Sequence, residues 1–417
     1  MENLHGNCLV GQSGGPTAAI NATVLGVIEA ALAAKEICHV YGMLNGIEGV
    51  LHDTLIDLGA EDSAELSRLK YTPSAILGSC RYKLADSTEN ADDYARILEV
   101  FKAHDIRYFF YIGGNDSMDT CNKVSKYLQN AGYACRVIGI PKTIDNDLVG
   151  TDHCPGYGSA AKFIATICME LKQDTRVYQT PTVNIVEIMG RHAGWLAGAA
   201  ALGNVLGDGP DLIYLPERNF SLEQFYADIT EVVQRQGCCV VAVSEGIHYA
   251  DGSFINDVST AAADGFGHVQ LGGLGVYLAE LVKNKLHYKA RGIELSLLQR
   301  CGAHCASETD LDESMSAGRA AVAAALAGTT DQMIGFVRSA ENGKYICRTA
   351  VFPLSAVANA EKTVPDEWIN KAGNGVTQAF IDYALPLIQG EPSREMETSL
   401  PCFAHLKRIP VSGGERK

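Results

Sequence analysis

Short apolar runs recur along the chain, and helix-like stretches separate them. This alternation indicates mostly parallel sheets with helices on both faces. The predicted strands are Cys8–Val10, His39–Met43, Tyr108–Ile112, Val137–Ile140, Val183–Ile188, Leu212–Leu215, Cys239–Val243, Ile293–Leu298 and Met333–Val337. The predicted helices are Thr17–Lys35, Tyr94–His104, Ser117–Asn130, Ser159–Gln173, Leu222–Gln236 and Ser316–Ala327.

The number of predicted strands favours two sheets over one. About nine strands of this kind would make a long open sheet, which proteins usually split. A break is predicted near Gly156–Ser159, where a glycine-rich turn opens a long helix. Because ligands of doubly wound folds bind beyond the carboxyl ends of the strands, the chemistry is expected directly after each strand.

The composition is that of a folded soluble protein, with 47% hydrophobic and 20% charged residues over 417 positions. This excludes a disordered or collagen-like chain. The 34 basic and 49 acidic residues give a net charge of −15. Such a charge disfavours nucleic acids and anionic membranes as partners, so an anionic ligand needs a local cluster of cations.

The cysteines and the amino terminus point to a reducing, cytoplasmic location. The 13 cysteines are an odd number in a long chain, and no basic segment followed by an apolar run marks a signal peptide. We therefore expect free, mostly buried thiols. No apolar run reaches the roughly 18 residues that a membrane helix needs.

Two motifs in the first hundred residues suit an anion. In VGQSGGPTAAIN, Gly14 and Gly15 follow a strand and precede a helix, so backbone N–H groups can approach a phosphate. The alternative is an ordinary tight strand–helix turn. In LGSCRYKL, Arg81 and Lys83 can hold phosphate oxygens, and the alternative is two solvated surface cations.

The motif YFFYIGGNDSMDT combines an apolar strand, paired glycines, Asn115 and Asp116. One interpretation is a simple helix cap provided by Asp116 or Ser117. The combination of strand, glycines, amide and acid favours a phosphate and metal site instead.

The motif IGIPKTIDNDLVGTD places Lys142, Asp145 and Asp147 within six residues after a strand. A carboxylate beside a lysine is expected to stay ionised and to accept a proton from a sugar hydroxyl, while a second carboxylate can bind a metal. The alternative is a polar turn whose side chains bond their own backbone.

Three later motifs place charges at strand ends. In VNIVEIMGRHAGWLA a strand leads to Arg191 and His192, and in VVAVSEG a strand ends in Glu245. RGIELSLLQRCG carries Arg291 and Arg300 on either side of an apolar run. Each can serve a sugar phosphate, and each alone can equally be a solvated charge. The two arginines of the last motif can serve two ends of one strand or two subunits.

Taken together, these motifs resemble those of the phosphofructokinase family, in family order from about Gly11 to about Ala327. PKTIDND and the MGR triplet are the most specific. The resemblance implies two Rossmann-like doubly wound domains: residues 1–157 with about 299–345 for the phosphoryl donor, and 158–298 with part of the C-terminal region for the sugar phosphate. Residues from about 390 to 417 are expected to form an extension or a frayed tail.

Within that family the chain looks most like the pyrophosphate-dependent branch. ATP-dependent relatives carry glycine where this chain has Asp116 and Lys142. The Asp116 side chain would fill the space of a nucleotide's α-phosphate and sugar, and Lys142 would add a point charge suited to diphosphate. The implied reaction is reversible phosphoryl transfer from diphosphate to the 1-hydroxyl of fructose 6-phosphate, in both glycolysis and gluconeogenesis.

The resemblance also implies roles for individual residues. Asp145 would be the base, with Lys142, Arg191 and Asp116 also catalytic. Mg²⁺ would be the cofactor, held by Asn115 and Asp147. The diphosphate side would comprise Gly14, Arg81, Asn115, Asp116 and Lys142. The sugar-phosphate side would comprise Thr143, Asp145, Met189, Gly190, Arg191, Glu245, Arg291 and Arg300.

The chain departs from the family at several positions. Asn115 stands where many relatives carry an aspartate, and Thr182 and Leu297 stand where ATP-dependent relatives place an arginine and a histidine on the sugar's 6-phosphate. A looser acceptor pocket would follow. Because Arg291 reaches a neighbour's site in the family, a homodimer or homotetramer is expected. The rival interpretations are an ATP-dependent enzyme and a non-catalytic sugar-phosphate-binding paralogue.

Overall fold

The structure is a computed structural model and describes residues 4–256, 272–357 and 360–411. Its strands are β1 Gly6–Gln12, β2 Ile37–Met43, β3 Leu55–Asp57, β4 Ile106–Gly113, β5 Arg136–Pro141, β6 Thr182–Ile188, β7 Leu212–Tyr214, β8 Cys238–Ser244, β9 Lys289–Glu294, β10 Gln332–Glu341, β11 Lys344–Pro353, β12 Met396–Glu397 and β13 Leu400–Pro401.

The α-helices alternate with these strands over most of the chain. They are α1 Ile20–Ala33, α2 Ile47–Leu51, α3 Ser63–Arg68, α4 Ala91–Ala103, α5 Asn115–Asn130, α6 Tyr157–Thr175, α7 Trp195–Ala199, α8 Leu222–Gln236, α9 Leu274–Leu286, α10 Leu298–Cys301, α11 Glu308–Leu326, α12 Leu354–Val357 and α13 Gln378–Ala384.

The described strands form two main sheets, as predicted. The larger sheet has the order β11-β10-β5-β4-β1-β2-β3, and the smaller has the order β7-β8-β6-β9. All pairings in the smaller sheet are parallel. In the larger sheet the two edge strands, β3 and β11, are antiparallel to their neighbours. The fold is therefore α/β with mostly parallel sheets, with antiparallel edges that the sequence did not predict.

Helices cover both faces of each sheet. One face of the larger sheet packs against α1 and α11, and the other packs against α4 and α5. In the smaller sheet, α6, α7 and α13 share a core on one face while α8 and α9 pack on the other. These buried faces explain why the central strands are continuous apolar runs, because both of their faces are removed from water.

The long helix α6 opens at the predicted glycine-rich turn. Gly156 precedes it in a left-handed conformation. The buried carboxylate of Asp310 on α11 accepts hydrogen bonds from the backbone N–H groups of Gly156 (2.8 Å) and Ser159 (3.0 Å). Asp310 therefore satisfies N–H groups that a helix start leaves unpaired, and it fastens α11 to α6.

Two sequence predictions need correction. The strand predicted at Ile293–Leu298 was wrong, because β9 ends at Glu294 and Leu298 begins α10. Hence Arg291 lies within the strand and Arg300 lies in a helix, rather than at the two ends of one strand. The frayed-end alternative for the tail was also wrong for the described residues. Ile409 and Val411 exchange backbone hydrogen bonds with β3 at 2.9 and 3.0 Å.

Two further predictions concern the thiols and the membrane. All thirteen cysteines are free, as predicted. Within the described part of the chain, no helix is both long enough and apolar enough to cross a membrane. How the chain divides into a donor domain and a sugar domain stays a prediction.

A buried ionic cluster supports the larger sheet beside α11. His153 contacts Asp152 at 2.8 Å and Glu313 at 2.7 Å through its two ring nitrogens. Burial alone would lower the pKa of His153, but these two hydrogen bonds outweigh it and raise the pKa. The protonated histidine therefore stabilises the fold between two carboxylates.

We predict that His153→Gln destabilises the protein more at pH 6 than at pH 9. The raised pKa contributes stability that is complete below the unfolded value of about 6.5 and disappears as pH rises through the folded pKa. Relative to wild type, the melting temperature of the variant should be lowered by about 2–4 °C more at pH 6 than at pH 9. The exposed His405→Gln serves as control, and an equal penalty at both pH values would contradict the prediction.

Candidate active site

A cavity of about 1040 Å³ lies where the carboxyl ends of strands from both sheets meet. Segments that follow β1, β4, β5, β6, β8 and β9 line it. The cavity brings together all but one of the residues predicted from the sequence: Gly14, Arg81, Asn115, Asp116, Lys142, Thr143, Asp145, Asp147, Met189, Gly190, Arg191, Glu245 and Arg300.

One wall of the cavity is the glycine turn after β1, with two cations lying over it. Gly14 has a φ of +73°, and a Cβ there would lie 3.4 Å from Lys142 Nζ. A Cβ on Gly15 would lie 3.1 Å from Arg300 Nη1, and Lys142 Nζ donates a hydrogen bond to the Gly15 carbonyl. The absence of side chains on the turn therefore lets both cations approach the backbone.

These cations are crowded and largely withdrawn from water. Burial lowers the pKa of Lys142 to about 8; Asp145 opposes this, and Arg300 adds to it. Burial and the charge of Arg81 lower the pKa of Arg300. Burial and mutual repulsion disfavour the charged forms of these cations. A compact anion with several negative charges would stabilise them.

The amino end of α5 closes the same wall. Its cap is Gly114, which makes no side-chain capping hydrogen bond, so the predicted cap by Asp116 or Ser117 was wrong. Asp116 instead lies in the first helical turn and lines the cavity. The Asn115 Oδ1 atom is buried and has no hydrogen-bond partner. A helix end and an unused amide oxygen therefore both point to a ligand.

The loop after β5 presents two carboxylates to the cavity. Asn146 adopts a left-handed φ of 56°, which Asn tolerates, and its side chain is bonded to Tyr383 and to the Cys154 N–H group. This anchor turns Asp145 and Asp147, on either side of it, towards the cavity. The Thr143 hydroxyl accepts the Asp145 N–H at 3.1 Å, so the loop is also a polar turn.

The carboxylates of this region are more basic than usual. Burial raises the pKa of Asp145, although the Lys142 charge opposes the rise. Burial and the neighbouring Asp145 raise the pKa of Asp147 to about 7, and burial raises that of Glu245 to about 7. The sequence predicted that Asp145 stays ionised beside a lysine; Lys142 does act to lower its pKa, but burial outweighs that effect and the pKa is raised. A further positive charge at this place would lower the pKa of these carboxylates.

The opposite wall consists of loops from the smaller sheet. The Met189 N–H donates to Gln299 Oε1 at 3.2 Å, and the Gly190 N–H donates to Glu245 Oε1 at 3.4 Å. A Cβ on Gly246 would lie 1.9 Å from the Arg191 carbonyl oxygen, so the loops after β6 and β8 are in direct contact. This packing fixes the backbone of Arg191, which lines the cavity.

Arg291 is the predicted site residue that does not line this cavity. It is exposed on β9, paired with Asn184 of β6, at the open edge of the smaller sheet. Other lining residues were not predicted: Glu187, Glu294, Ser296, Gln299 and Glu361. Glu187 is the last residue but one of β6, a strand already assigned to the site, so its position was a usable signal, whereas nothing local marks Glu361.

Comparison with known proteins shows the family of the chain. The family model described as Phosphofructokinase matches residues 7–326. The chain belongs to the phosphofructokinase family.

Individual relatives of this family cover almost the whole chain. Pyrophosphate–fructose 6-phosphate 1-phosphotransferase of Xanthomonas campestris pv. campestris is 45% identical over 98% of both chains. The crystal structure of pyrophosphate-dependent phosphofructokinase from Nitrosospira multiformis superposes with a TM-score of 0.88, at 40% identity and 98% coverage of both chains. A sulfofructose kinase of Alkalicoccus urumqiensis is 33% identical over 89% of this chain and 95% of its own.

We predict that binding of metal-free diphosphate weakens above pH 8 because Lys142 loses its proton. Titration calorimetry between pH 7 and 9.5 should show at least about a fivefold larger loss of affinity for wild type than for Lys142→Arg, whose guanidinium stays charged. The ligand's own titration is common to both proteins. Parallel pH profiles would contradict the placement of Lys142 against the anion.

Proposed function

We propose that the protein is a pyrophosphate-dependent 6-phosphofructokinase. It transfers a phosphoryl group reversibly from diphosphate to the 1-hydroxyl of fructose 6-phosphate, giving fructose 1,6-bisphosphate and phosphate. The observation that carries this proposal is the arrangement of Lys142 and Arg300 over the glycine turn, facing Asp145 and Asp147 within the same cavity. The activities named for the relatives support it.

Donor choice follows from the wall formed by α5 and the glycine turn. The Asp116 side chain takes up the space beside the amino end of α5. A third phosphate and a nucleoside would need that space. The negative charge of Asp116 repels such a chain, while Lys142 supplies a concentrated charge for diphosphate. Gly14, Arg81 and Asn115 complete the donor side. An adenosine-bearing donor is therefore excluded by volume and charge together.

Catalysis is assigned to Asp145 and Arg191. Asp145 accepts the proton of the sugar's 1-hydroxyl, and its carboxylate is held by a loop whose backbone is bonded to Thr143 and anchored through Asn146. Arg191 stabilises the charge on the phosphoryl group in transit. Most of the rate enhancement then comes from positioning and fixed charges, as is general for phosphoryl transfer.

Mg²⁺ is the proposed cofactor, and the residues fit it. Asn115 offers a buried oxygen that no protein group uses, and Asp147 offers a carboxylate whose raised pKa a divalent cation would reverse. Oxygen donors of this kind are the ones that Mg²⁺ prefers. When bound, Mg²⁺ neutralises diphosphate oxygens; Asn115 and Asp147 would hold it.

The acceptor side is assigned to the loops of the smaller sheet. Met189, Gly190, Arg191 and Glu245 surround the sugar phosphate, together with Thr143 and Arg300. Arg291 is proposed to reach the site of a second copy, so the active unit is a homodimer or homotetramer in the cytoplasm. The donor domain is proposed to contain the larger sheet, and the sugar domain the smaller one.

A coupled assay that compares donors and acceptors tests this function. The protein should phosphorylate fructose 6-phosphate with diphosphate and not with ATP. The assay should be repeated with sulfofructose, the acceptor named for one relative. Activity with ATP alone would favour the ATP-dependent rival. Sugar-phosphate binding without turnover with either donor would favour the non-catalytic rival.

Replacing both Asp116 and Lys142 by glycine should lower kcat/KM for diphosphate by about a hundredfold or more, because Lys142 supplies a fixed positive charge in a water-poor site. The same double variant should begin to use ATP. The exposed Lys344→Gly variant serves as control and should behave as wild type. An unchanged donor preference in the double variant would contradict the role given to these two residues.

Subunit complementation tests the proposed role of Arg291. Arg291→Ala and Asp145→Asn should each be inactive, but dissociation and mixing should restore about a quarter of wild-type activity, because half of the dimers then contain one intact site. Mixing wild type with Asp145→Asn provides the calibration. No recovery after verified subunit exchange would place Arg291 in its own subunit's site or in none.

A further inference from the structure

A segment of the C-terminal region, residues 360–364, packs against the loop that carries Asp145 and Asp147. Leu148 and Glu361 form an isolated antiparallel bridge, and the Lys362 N–H donates to the Asp147 carbonyl at 2.7 Å. The segment therefore pairs with the catalytic loop directly beside Asp147. We call residues 360–364 the strap.

The Lys362 side chain makes a second connection to the same loop. Its Nζ atom donates to the carbonyl oxygens of Thr151, at 3.2 Å, and Asp152, at 2.6 Å. Burial lowers the pKa of Lys362, which the nearby Cys154 and Asp152 oppose. The one residue thus holds the loop at both ends, through its backbone at Asp147 and through its ammonium group at residues 151 and 152.

Lys362 also reaches the acceptor side of the cavity. Its carbonyl accepts the Trp195 Nε1–H at 2.8 Å, and its ammonium group lies 5.2 Å from the centre of the Trp195 ring. Trp195 begins α7, directly after the loop that carries Met189, Gly190 and Arg191. The strap continues this connection, because Glu217 Oε1 accepts both the Val364 N–H (2.9 Å) and the Gly194 N–H (2.8 Å).

We propose that Lys362 is a positioning residue for phosphoryl transfer. It acts as a clamp that holds the loop of Asp145 and Asp147 at a fixed position relative to the loop of Arg191. The clamp joins a loop of the larger sheet to a loop of the smaller sheet, and it touches neither substrate. This inference rests on the proposed function, since it assigns the clamp to the reaction of that same cavity.

The physical consequence of the clamp is a fixed distance between base and acceptor. Reacting groups must be held in one narrow arrangement, and a displacement of about 1 Å far from the chemistry can cost about a hundredfold in rate. Ligand binding uses many separate contacts around the cavity and is less sensitive to such a shift. Loss of the clamp should therefore lower kcat far more than it raises KM.

The decisive comparison is Lys362→Met with Lys362→Arg. Methionine keeps the stem and removes the donor, and kcat should fall about 10–100-fold, with each KM changing less than about threefold. Arginine can still donate to both carbonyls, so kcat should recover to within about fivefold of wild type. Lys371→Met, an exposed lysine of the same region, should leave both constants unchanged.

Tryptophan fluorescence separates positioning from unfolding. The chain has two tryptophans, so a Trp368→Phe background leaves Trp195 as the only reporter. A buried-type emission spectrum in Lys362→Met, together with the lowered kcat, supports the clamp. If that variant unfolds, Trp195→Phe removes the Nε1–H donor and leaves a smaller aromatic ring in its place, and kcat should still fall about threefold or more at unchanged KM.

Three results would overturn the proposal. They are a folded Lys362→Met with wild-type kcat, a loss confined to KM, and an unfolded Lys362→Met combined with wild-type kcat in Trp195→Phe. A wild-type protein that fails to use diphosphate would instead overturn the proposed function, so the two failures are distinguishable. For that reason the wild-type assay is run first in each series.

Discussion

The meeting of Lys142 and Asp145 at the end of β5 is the interaction on which the rest of the site depends. Both groups are withdrawn from water, and each shifts the pKa of the other against the effect of burial. In the proposed reaction Lys142 attracts the diphosphate and Asp145 accepts the proton, and both residues line one cavity. β5 is paired with β4 as far as Pro141, and the Lys142 N–H donates to the Gly113 carbonyl at 2.9 Å, so the backbone is held where the loop begins.

The two sheets supply different halves of this arrangement. The larger sheet contributes the glycine turn, the end of α5 and the loop after β5, and the smaller sheet contributes the loops after β6, β8 and β9. We propose that the first half binds the phosphoryl donor and the second half binds the acceptor. Contacts that cross between them, such as Lys362 with Trp195, therefore matter as much as the residues that face the substrates.

The central strands and the main site motifs were predictable from the sequence, for one physical reason. A strand buried on both faces must be apolar throughout, so Tyr108–Ile112 stands out, and polar groups just beyond such strands mark the ligand side. Edge strands lack this signal. β11 is partly exposed along its length, and β9 carries Lys289 and Arg291, so neither presents an apolar run.

The remaining site residues become neighbours only through tertiary structure. Glu361 and Lys362 lie more than 200 positions from the loop they contact, in a segment without a strand or helix pattern of its own. The helix cap of α5 was misassigned because Asp116 and Ser117 have high capping preferences. In the structure Asp116 lines the cavity and Ser117 is bonded to Ser13. The capping preferences of Asp116 and Ser117 therefore did not decide where α5 begins.

The most direct measurement compares binding with turnover in Asp145→Asn. Calorimetry should show that diphosphate and fructose 6-phosphate bind with affinities within a few-fold of wild type, because the cations and the acceptor loops are unchanged. Rapid-quench measurement of a single turnover should show phosphoryl transfer slowed by about 10²–10⁴-fold, the usual contribution of a general base. Two results would contradict the account, in which Asp145 accepts the proton and the cations around Lys142 bind diphosphate. They are transfer at the wild-type rate and a loss of binding large enough to explain the slower transfer.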